Sequence, residues 1–307
     1  MDAVKDFEGR VAFITGGASG AGLGQARVFG RAGVRVAIAD VRADALAGAV
    51  DDLAREGVEA FPVVLDITDR AAYARAADEV EAHFGDPITL LFNTAGVNGF
   101  GSIETMTYDD FDWILGVNLG GVVNGLRTIV PRMIAAGRGG HVTSVASVGG
   151  FEGSRMTGPY SAAKAAVISL MESFALALPA HGIGVTVLCP ASIRSNISEA
   201  HLTRAAADAS GVLTDDAFVE SLREVYAHGM DPEHLALHLK RAIERDELYA
   251  IPYPEVRDDL ERTFGRILDA VPDTDELDLE GAEQRLRALA RFRESARARA
   301  DATGAVT

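Results

Sequence analysis

The sequence predicts a doubly wound α/β fold, with one parallel sheet of seven strands, helices on both faces and a helical C-terminal tail. Three observations predict it. Short apolar runs rich in Val, Ile and Leu recur along the chain, longer amphipathic stretches separate them, and a glycine-rich turn follows the first run directly. A strand buried on both faces reads as a continuous apolar run, and parallel pairing needs helical crossovers of this kind.

In chain order the strands are expected at Val11–Ile14, Val34–Ala39, Ala60–Leu65, Ile88–Phe92, His141–Val145, Val185–Leu188 and, more weakly, Leu248–Ile251. No Ser/Pro/Gly linker and no internal repeat interrupts them, so residues 1–255 read as one domain with a lid insert at about 196–230. From Arg257 the chain turns to charged helix, as in Arg285-Leu286-Arg287-Ala288-Leu289-Ala290-Arg291. Residues 256–307 therefore read as a packing or oligomer-clasping extension, with the last ten or so too weakly patterned to be given a fixed structure.

A net charge of -16 and a pI near 4.8 exclude a surface built for nucleic acid or anionic lipid, since either needs a basic face. The start, Met1-Asp2-Ala3-Val4-Lys5-Asp6, has no apolar h-region, and no uncharged apolar run reaches the ~18 residues of a membrane helix. The expectation is a cytoplasmic protein without membrane partners. The single cysteine, Cys189, excludes an intrachain disulfide and a Cys-based metal cluster; it sits beside the apolar run Val185–Leu188 and reads as an inert core residue, and no metal is expected.

The first chemical signal is Thr15-Gly16-Gly17-Ala18-Ser19-Gly20-Ala21-Gly22-Leu23-Gly24, between the first strand and a helix. Glycine lets the backbone turn tightly and approach a pyrophosphate, and a helix N-terminus offers unpaired N–H groups and a positive dipole end. Gly16, Ser19, Gly20, Gly22 and Leu23 are the candidate phosphate contacts. Asp40 ends the second strand 18 positions beyond Gly22, placed to accept hydrogen bonds from ribose hydroxyls and to repel a 2′-phosphate. With neither Ala18 nor Ser19 basic, NAD is favoured over NADP, although Arg42 leaves the phosphorylated form open; the structural alternative for Asp40 is a helix N-cap. Asp66 and Ile67 close the third strand, as an adenine contact or as another cap before Asp69. Asn93, Ala95 and Gly96 close the fourth, where small residues admit the cofactor and Asn93 can tie neighbouring strands.

The second half carries Tyr160-Ser161-Ala162-Ala163-Lys164 at the start of a helix, which puts both side chains on one face. With six tyrosines and only Lys5, Lys164 and Lys240 as lysines, a chance pair at this spacing is rare. An adjacent ammonium favours phenolate, so Tyr160 is expected to ionise well below the ordinary value near 10.

Taken together, Thr15-Gly16-x-x-x-Gly20-x-Gly22, Asn93-x-Ala95-Gly96, Asn118, Ser147 and Tyr160-x-x-x-Lys164 resemble the short-chain dehydrogenase/reductase family over roughly residues 8 to 252. The resemblance implies a Rossmann fold and a catalytic group of Asn118, Ser147, Tyr160 and Lys164. Tyr160 would be the general acid/base toward a secondary alcohol or ketone, and Ser147, rather than Ser144, would bond the substrate oxygen. Lys164 would bond the nicotinamide ribose, and Asn118 would kink a helix and hold a water. It further implies that Pro190, Ile193 and Ser195 shape the nicotinamide pocket, and that a homotetramer or homodimer forms through the helices after Thr107 and Tyr160.

Three positions depart from the family's usual pattern: Thr94 stands where a second Asn is common, Ala146 precedes the serine, and Ala191 follows Pro190 in place of Gly. Ala191 does not reach positive φ as cheaply as Gly, so the loop is expected to differ from typical members. Val97, Phe100, Val148 and Phe151, with Ser147 and Ala191, are the candidate substrate pocket, apolar and roomy enough for a ring, unless they are simply core. Chain length, the Ser195-Asn196-Ile197 start of the lid and the charged tail are similar to family members that oxidise aryl or other bulky secondary alcohols.

Overall fold

The computed structural model describes residues 4, 6–204, 210–272 and 278–302. The chain divides into two compact units, Met1–Pro254 and Glu255–Thr307. In the first, the strands are β1 Val11–Thr15, β2 Arg35–Asp40, β3 Ala60–Val64, β4 Ile88–Asn93, β5 Gly140–Val145, β6 Ile183–Leu188 and β7 Tyr249–Ala250. They form one parallel sheet in the order β3-β2-β1-β4-β5-β6-β7. Each expected strand is present within a residue or two at either end, and the weakest, β7, is two residues long. β1 and β4 are buried throughout because helices cover both faces of the sheet, which is why their apolar runs do not alternate.

The helices of this unit are α1 Gly20–Gly30, α2 Ala43–Arg55, α3 Arg70–Phe84, α4 Tyr108–Leu115, α5 Gly121–Ala136, α6 Gly158–Ala177, α7 Asp216–Ala227 and α8 Pro232–Glu244. Side chains set their starts. Asp69 accepts from Ala71 and Ala72 at the head of α3, and Thr107 with Asp110 forms a capping box on α4. α4 and α5 join through a π-helical turn, Gly116–Gly120, which carries Asn118. Two helical stretches, Tyr108–Ala136 and Gly158–His181, have the length and composition to cross a membrane. Both pack a buried face inside the α/β layer, with Val122, Ile129, Val167 and Met171 in the core.

Positions 205–209 of the expected lid lie outside the described residues; the rest is a 3-10 segment, Ile197–Thr203, an extended stretch from Ser210, and α7. The second unit contains α9 Arg257–Asp269 and α10 Leu279–Ala302. The tail's end is more regular than its weak patterning suggested. The helix runs on to Ala302 because Ala and Arg are strong helix formers, and residues 303–307 lie outside the described residues.

Candidate active site

The strand order reverses direction between β1 and β4, and the loops leaving those two strands make a crevice at the carboxyl ends of the sheet. Gly16 has φ of 67°, and a Cβ there would sit 2.8 Å from the Ala95 Cα; at Gly22 a Cβ would fall 2.2 Å from the Gly16 carbonyl oxygen. Side chains at these positions would push the turn apart, so glycine is what lets α1 begin against it. Ser19 is the N-cap of α1 with its hydroxyl unused for capping, and the first turn holds no acidic residue. The first N–H groups of α1 are thus left for an anion, a cradle that suits a dinucleotide pyrophosphate. The Thr15 hydroxyl accepts from the N–H groups of Thr94 and Ala95 at 3.0 and 3.1 Å, fastening the two loops together. Thr94 in turn donates to buried Gln25 at 2.6 Å. Gln25 escapes the sequence reading, and Thr15 enters it only as the head of the glycine motif, because their role depends on a contact between distant loops.

Asp40 is buried at the end of β2 and is not a cap, since the residue flanking α2 is Arg42. Its Oδ1 accepts from the Arg42 backbone N–H at 3.1 Å and from Arg42 Nε at 3.2 Å, and Arg42 Nη2 reaches the Ser19 hydroxyl at 3.0 Å. Asp66 Oδ1 accepts from Thr68 N and Oγ1, while Asp69 takes the capping role before α3. The Ile67 carbonyl accepts from Asn124. Asn93 Nδ2 donates to Ser144 Oγ at 3.2 Å across β4 and β5, which occupies the serine that competes with Ser147 in the sequence.

Ser147, Tyr160 and Lys164 come together from the end of β5 and the first turns of α6. The Ser147 hydroxyl accepts from Gly149 N at 3.1 Å, donates to the Pro190 carbonyl at 3.3 Å and lies in hydrogen-bonding reach of Tyr160. Lys164 is buried, its Nζ 2.8 Å from the Val145 carbonyl and 5.4 Å from the Tyr160 ring centre. The Asn118 side chain accepts from Val97 N and donates to the carbonyls of Val97 and Ile114. It clamps the loop after β4 to the π-helical turn, and that turn leaves backbone carbonyls off the helical ladder.

One expectation fails here. Tyr160 does not ionise early: burial pushes its phenol up to about 12, against the pull of the neighbouring Ser147 hydroxyl, with Tyr226 and Cys189 adding to the rise. Burial also brings Lys164 down to about 8, with Cys189 opposing that fall. Desolvation outweighs the attraction that i, i+4 spacing implied, because the ammonium is turned to the Val145 carbonyl. Burial likewise raises the Cys189 thiol to about 12, which makes it inert.

The candidate pocket residues separate. Val97 is buried beside Asn118, Phe100 stacks edge-on to Phe218 of α7, and Val148 opens the turn after Ser147. Phe151 instead packs against Tyr249 on β7 and against the core, the structural half of its two readings. Ala191 fits without left-handed backbone; among the described residues Asp246 is the one non-glycine with positive φ. Pro190 holds Ser147 and Val148, Ile193 pairs with Met230, and Ser195 lies against Gly20, where a Cβ would come within 2.9 Å of its own. Ser195 and Gly20 line a cavity of about 330 Å³ with Arg194, Asn196, Glu199 and Tyr226.

Asp110 has no signature in the sequence. Fully buried on α4, it accepts from Ser210, Gly211, Arg204 and Thr107. Burial would raise it, but those hydrogen bonds win and hold it well below the usual carboxylate range. Arg204 also stacks over Trp113. Arg204 and Ser210, far apart from α4 in sequence, are thereby held to it.

The sequence profile of the short chain dehydrogenases matches residues 10–205. The chain belongs to the short-chain dehydrogenase/reductase family. As a member it is an oxidoreductase that moves a hydride between a secondary alcohol and a ketone. It is 58% identical over 287 residues to a C alpha-dehydrogenase from Sphingobium sp. strain SYK-6, spanning 93% of this chain and 94% of that relative. The crystal structure of LigD-apo form from the same strain matches with a TM-score of 0.75 at 53% identity, over 88% of this chain and 100% of the other. A short chain dehydrogenase/reductase from Burkholderia phymatum, solved in complex with NAD, matches with a TM-score of 0.82 at 31% identity, over 89% and 99%.

Proposed function

We propose that this short-chain dehydrogenase uses NAD to oxidise a bulky, aryl-substituted secondary alcohol at its carbinol carbon. The observation that carries the reading is the meeting of Ser147, Tyr160 and Lys164 opposite a glycine cradle whose neighbouring strand ends in the buried carboxylate of Asp40. Identity of 58% across nearly the whole of a C alpha-dehydrogenase supports the aryl carbinol as substrate. Oxidised NAD, when bound, accepts the hydride and brings a positively charged ring to the site. Tyr160 takes the hydroxyl proton, Ser147 holds the substrate oxygen, Lys164 holds the ribose and its charge, and Asn118 fixes the loop that borders both. Gly16, Ser19, Gly20, Gly22 and Leu23 would cradle the pyrophosphate, and Asp66, Ile67, Asn93, Ala95 and Gly96 would border the adenosine. Pro190, Ile193 and Ser195 would enclose the nicotinamide.

Formation of reduced cofactor at 340 nm with 1-phenylpropan-1-ol tests this reading. With NAD, kcat/KM should exceed that with NADP by about a hundredfold, the ~3 kcal/mol that a like-charge contact costs. The Arg42 side chain, already bridging Asp40 and Ser19, favours the opposite reading, an NADP-dependent carbonyl reductase. Faster turnover with NADP would establish it. Binding of NAD without turnover of any alcohol or ketone would point to a sensor.

We read the assembly as a cytoplasmic homotetramer or homodimer. Tyr108, Val123, Ile134 and Leu176 are exposed on α4, α5 and α6, the helices expected to make the contact. Light scattering behind size exclusion should give two or four times the 32.4 kDa chain mass; a monomer at micromolar concentration would refute this.

A further inference from the structure

Each helix of the second unit carries an apolar stripe that its own chain leaves largely in water. Phe264, Ile267 and Leu268 of α9, with Val271 just beyond its end, fall at i, i+3, i+4 and i+7, and Leu268 is 70% exposed. On α10, Leu286, Leu289 and Phe292 share a side, with Leu286 and Phe292 each 69% exposed. None of the described side chains of α10 is buried, although the helix runs for 24 residues. Helices in proteins draw most of their stability from the face they pack, so a stripe of this kind is built to be covered.

Three observations make a second copy of this chain the cover. The stripes match in length, since 264–271 and 286–292 each span roughly 10 Å at about 1.5 Å per residue. Together they leave roughly 700 Å² of apolar side chain exposed per chain, close to the ~800 Å² that each partner buries in a standard interface. Their charges also fit in one direction only. The stretch 285–299 carries six Arg and one Glu in a chain of net charge -16, while the head of α9 carries Asp258, Asp259 and Glu261. Laid antiparallel, with Phe264 opposite Phe292 and Val271 opposite Leu286, the acidic head of α9 falls level with the arginine-rich end of α10. Laid parallel, it falls level with Glu280 and Glu283 and is repelled.

We propose that α9 of one copy packs antiparallel against α10 of a second copy, and the reverse, so that two tails close a four-helix bundle about a two-fold axis. The contact is made twice and covers both stripes of both chains. It is separate from any interface through α5 and α6 and does not depend on which alcohol the enzyme oxidises.

The test uses the full-length enzyme and light scattering behind size exclusion. Leu286→Glu with Leu289→Glu on α10, and separately Ile267→Glu with Leu268→Glu on α9, should each halve the mass of the unaltered assembly, because a buried carboxylate opens the bundle and leaves any other interface intact. A second variant, Phe264→Cys with Phe292→Cys, should give a covalent dimer on a denaturing gel after oxidation with copper phenanthroline, and none when Leu286→Glu and Leu289→Glu are added. The native thiol, Cys189, is buried and adds no background. An unaltered enzyme of 32.4 kDa, or a mass unmoved in both glutamate pairs, would overturn the inference. So would a double-cysteine variant that closes its bridge within one chain, which would make the tail a hairpin on itself. Sedimentation of a monomeric enzyme with phosphatidylglycerol vesicles would also overturn it, by giving the arginine-rich stripe to a lipid surface.

Discussion

Tyr160→Phe is expected to lower kcat/KM for alcohol oxidation by about a thousandfold, within the range of 10²–10⁴ that a positioned acid/base contributes. The substitution deletes one oxygen and keeps the ring over which Lys164 lies, so the helix and pocket should persist. Dinucleotide affinity by calorimetry should change less than threefold, because the glycine cradle and Asp40 are untouched. Energetics sharpen the expectation. Bringing the phenol from about 12 to near 8 requires about 5 kcal/mol at 1.4 kcal/mol per unit. One ammonium at about 5 Å supplies only ~3 kcal/mol at an effective dielectric of about 20. Lysine alone therefore does not activate this tyrosine, and oxidation should climb with pH across the neutral range in the unaltered enzyme. A variant retaining more than a tenth of the activity would remove Tyr160 from the proton transfer.

The topology was legible because buried parallel strands write themselves as unbroken apolar runs, and even the two-residue β7 left its trace in Leu248–Ile251. The glycine turn and the Tyr160 and Lys164 pair were legible because their chemistry is local: neighbours in sequence are neighbours in space. Asp110 was not, since its partners Arg204, Ser210 and Gly211 lie about a hundred positions away and nothing in Thr107-Tyr108-Asp109-Asp110 separates a clamp from an ordinary cap. Gln25 and the loop-fastening role of Thr15 were hidden for the same reason. Phe151 was ambiguous because a phenylalanine lining a pocket and one lining a core have identical sequence signatures. The tyrosine's ionisation was misjudged for a different reason: spacing reports which groups are adjacent, whereas the sign of a shift depends on how much water each has lost.

Lys164→Met carries the second large effect, and pH separates its cause from a packing loss. Burial disfavours the charged amine and brings it down to about 8 from an ordinary value near 10.5, so the ammonium is present below that pH and is lost above it. Ketone reduction needs a protonated tyrosine and a cation beside the developing charge. Tyr160, raised to about 12, stays protonated throughout, so the lysine alone sets the limb. In the unaltered enzyme, kcat/KM for a ketone with reduced cofactor should be level at acid pH and fall about tenfold per unit above pH ~8. In Lys164→Met the rate should be lower by about 10²–10³, the range for removing one preorganised electrostatic donor, and the descending limb near 8 should vanish because nothing is left to titrate there. A methionine of similar length fills the space, so a lost limb with retained melting temperature assigns the effect to charge. If the variant keeps a limb at the same pH, another group governs the profile and Lys164 acts only by packing.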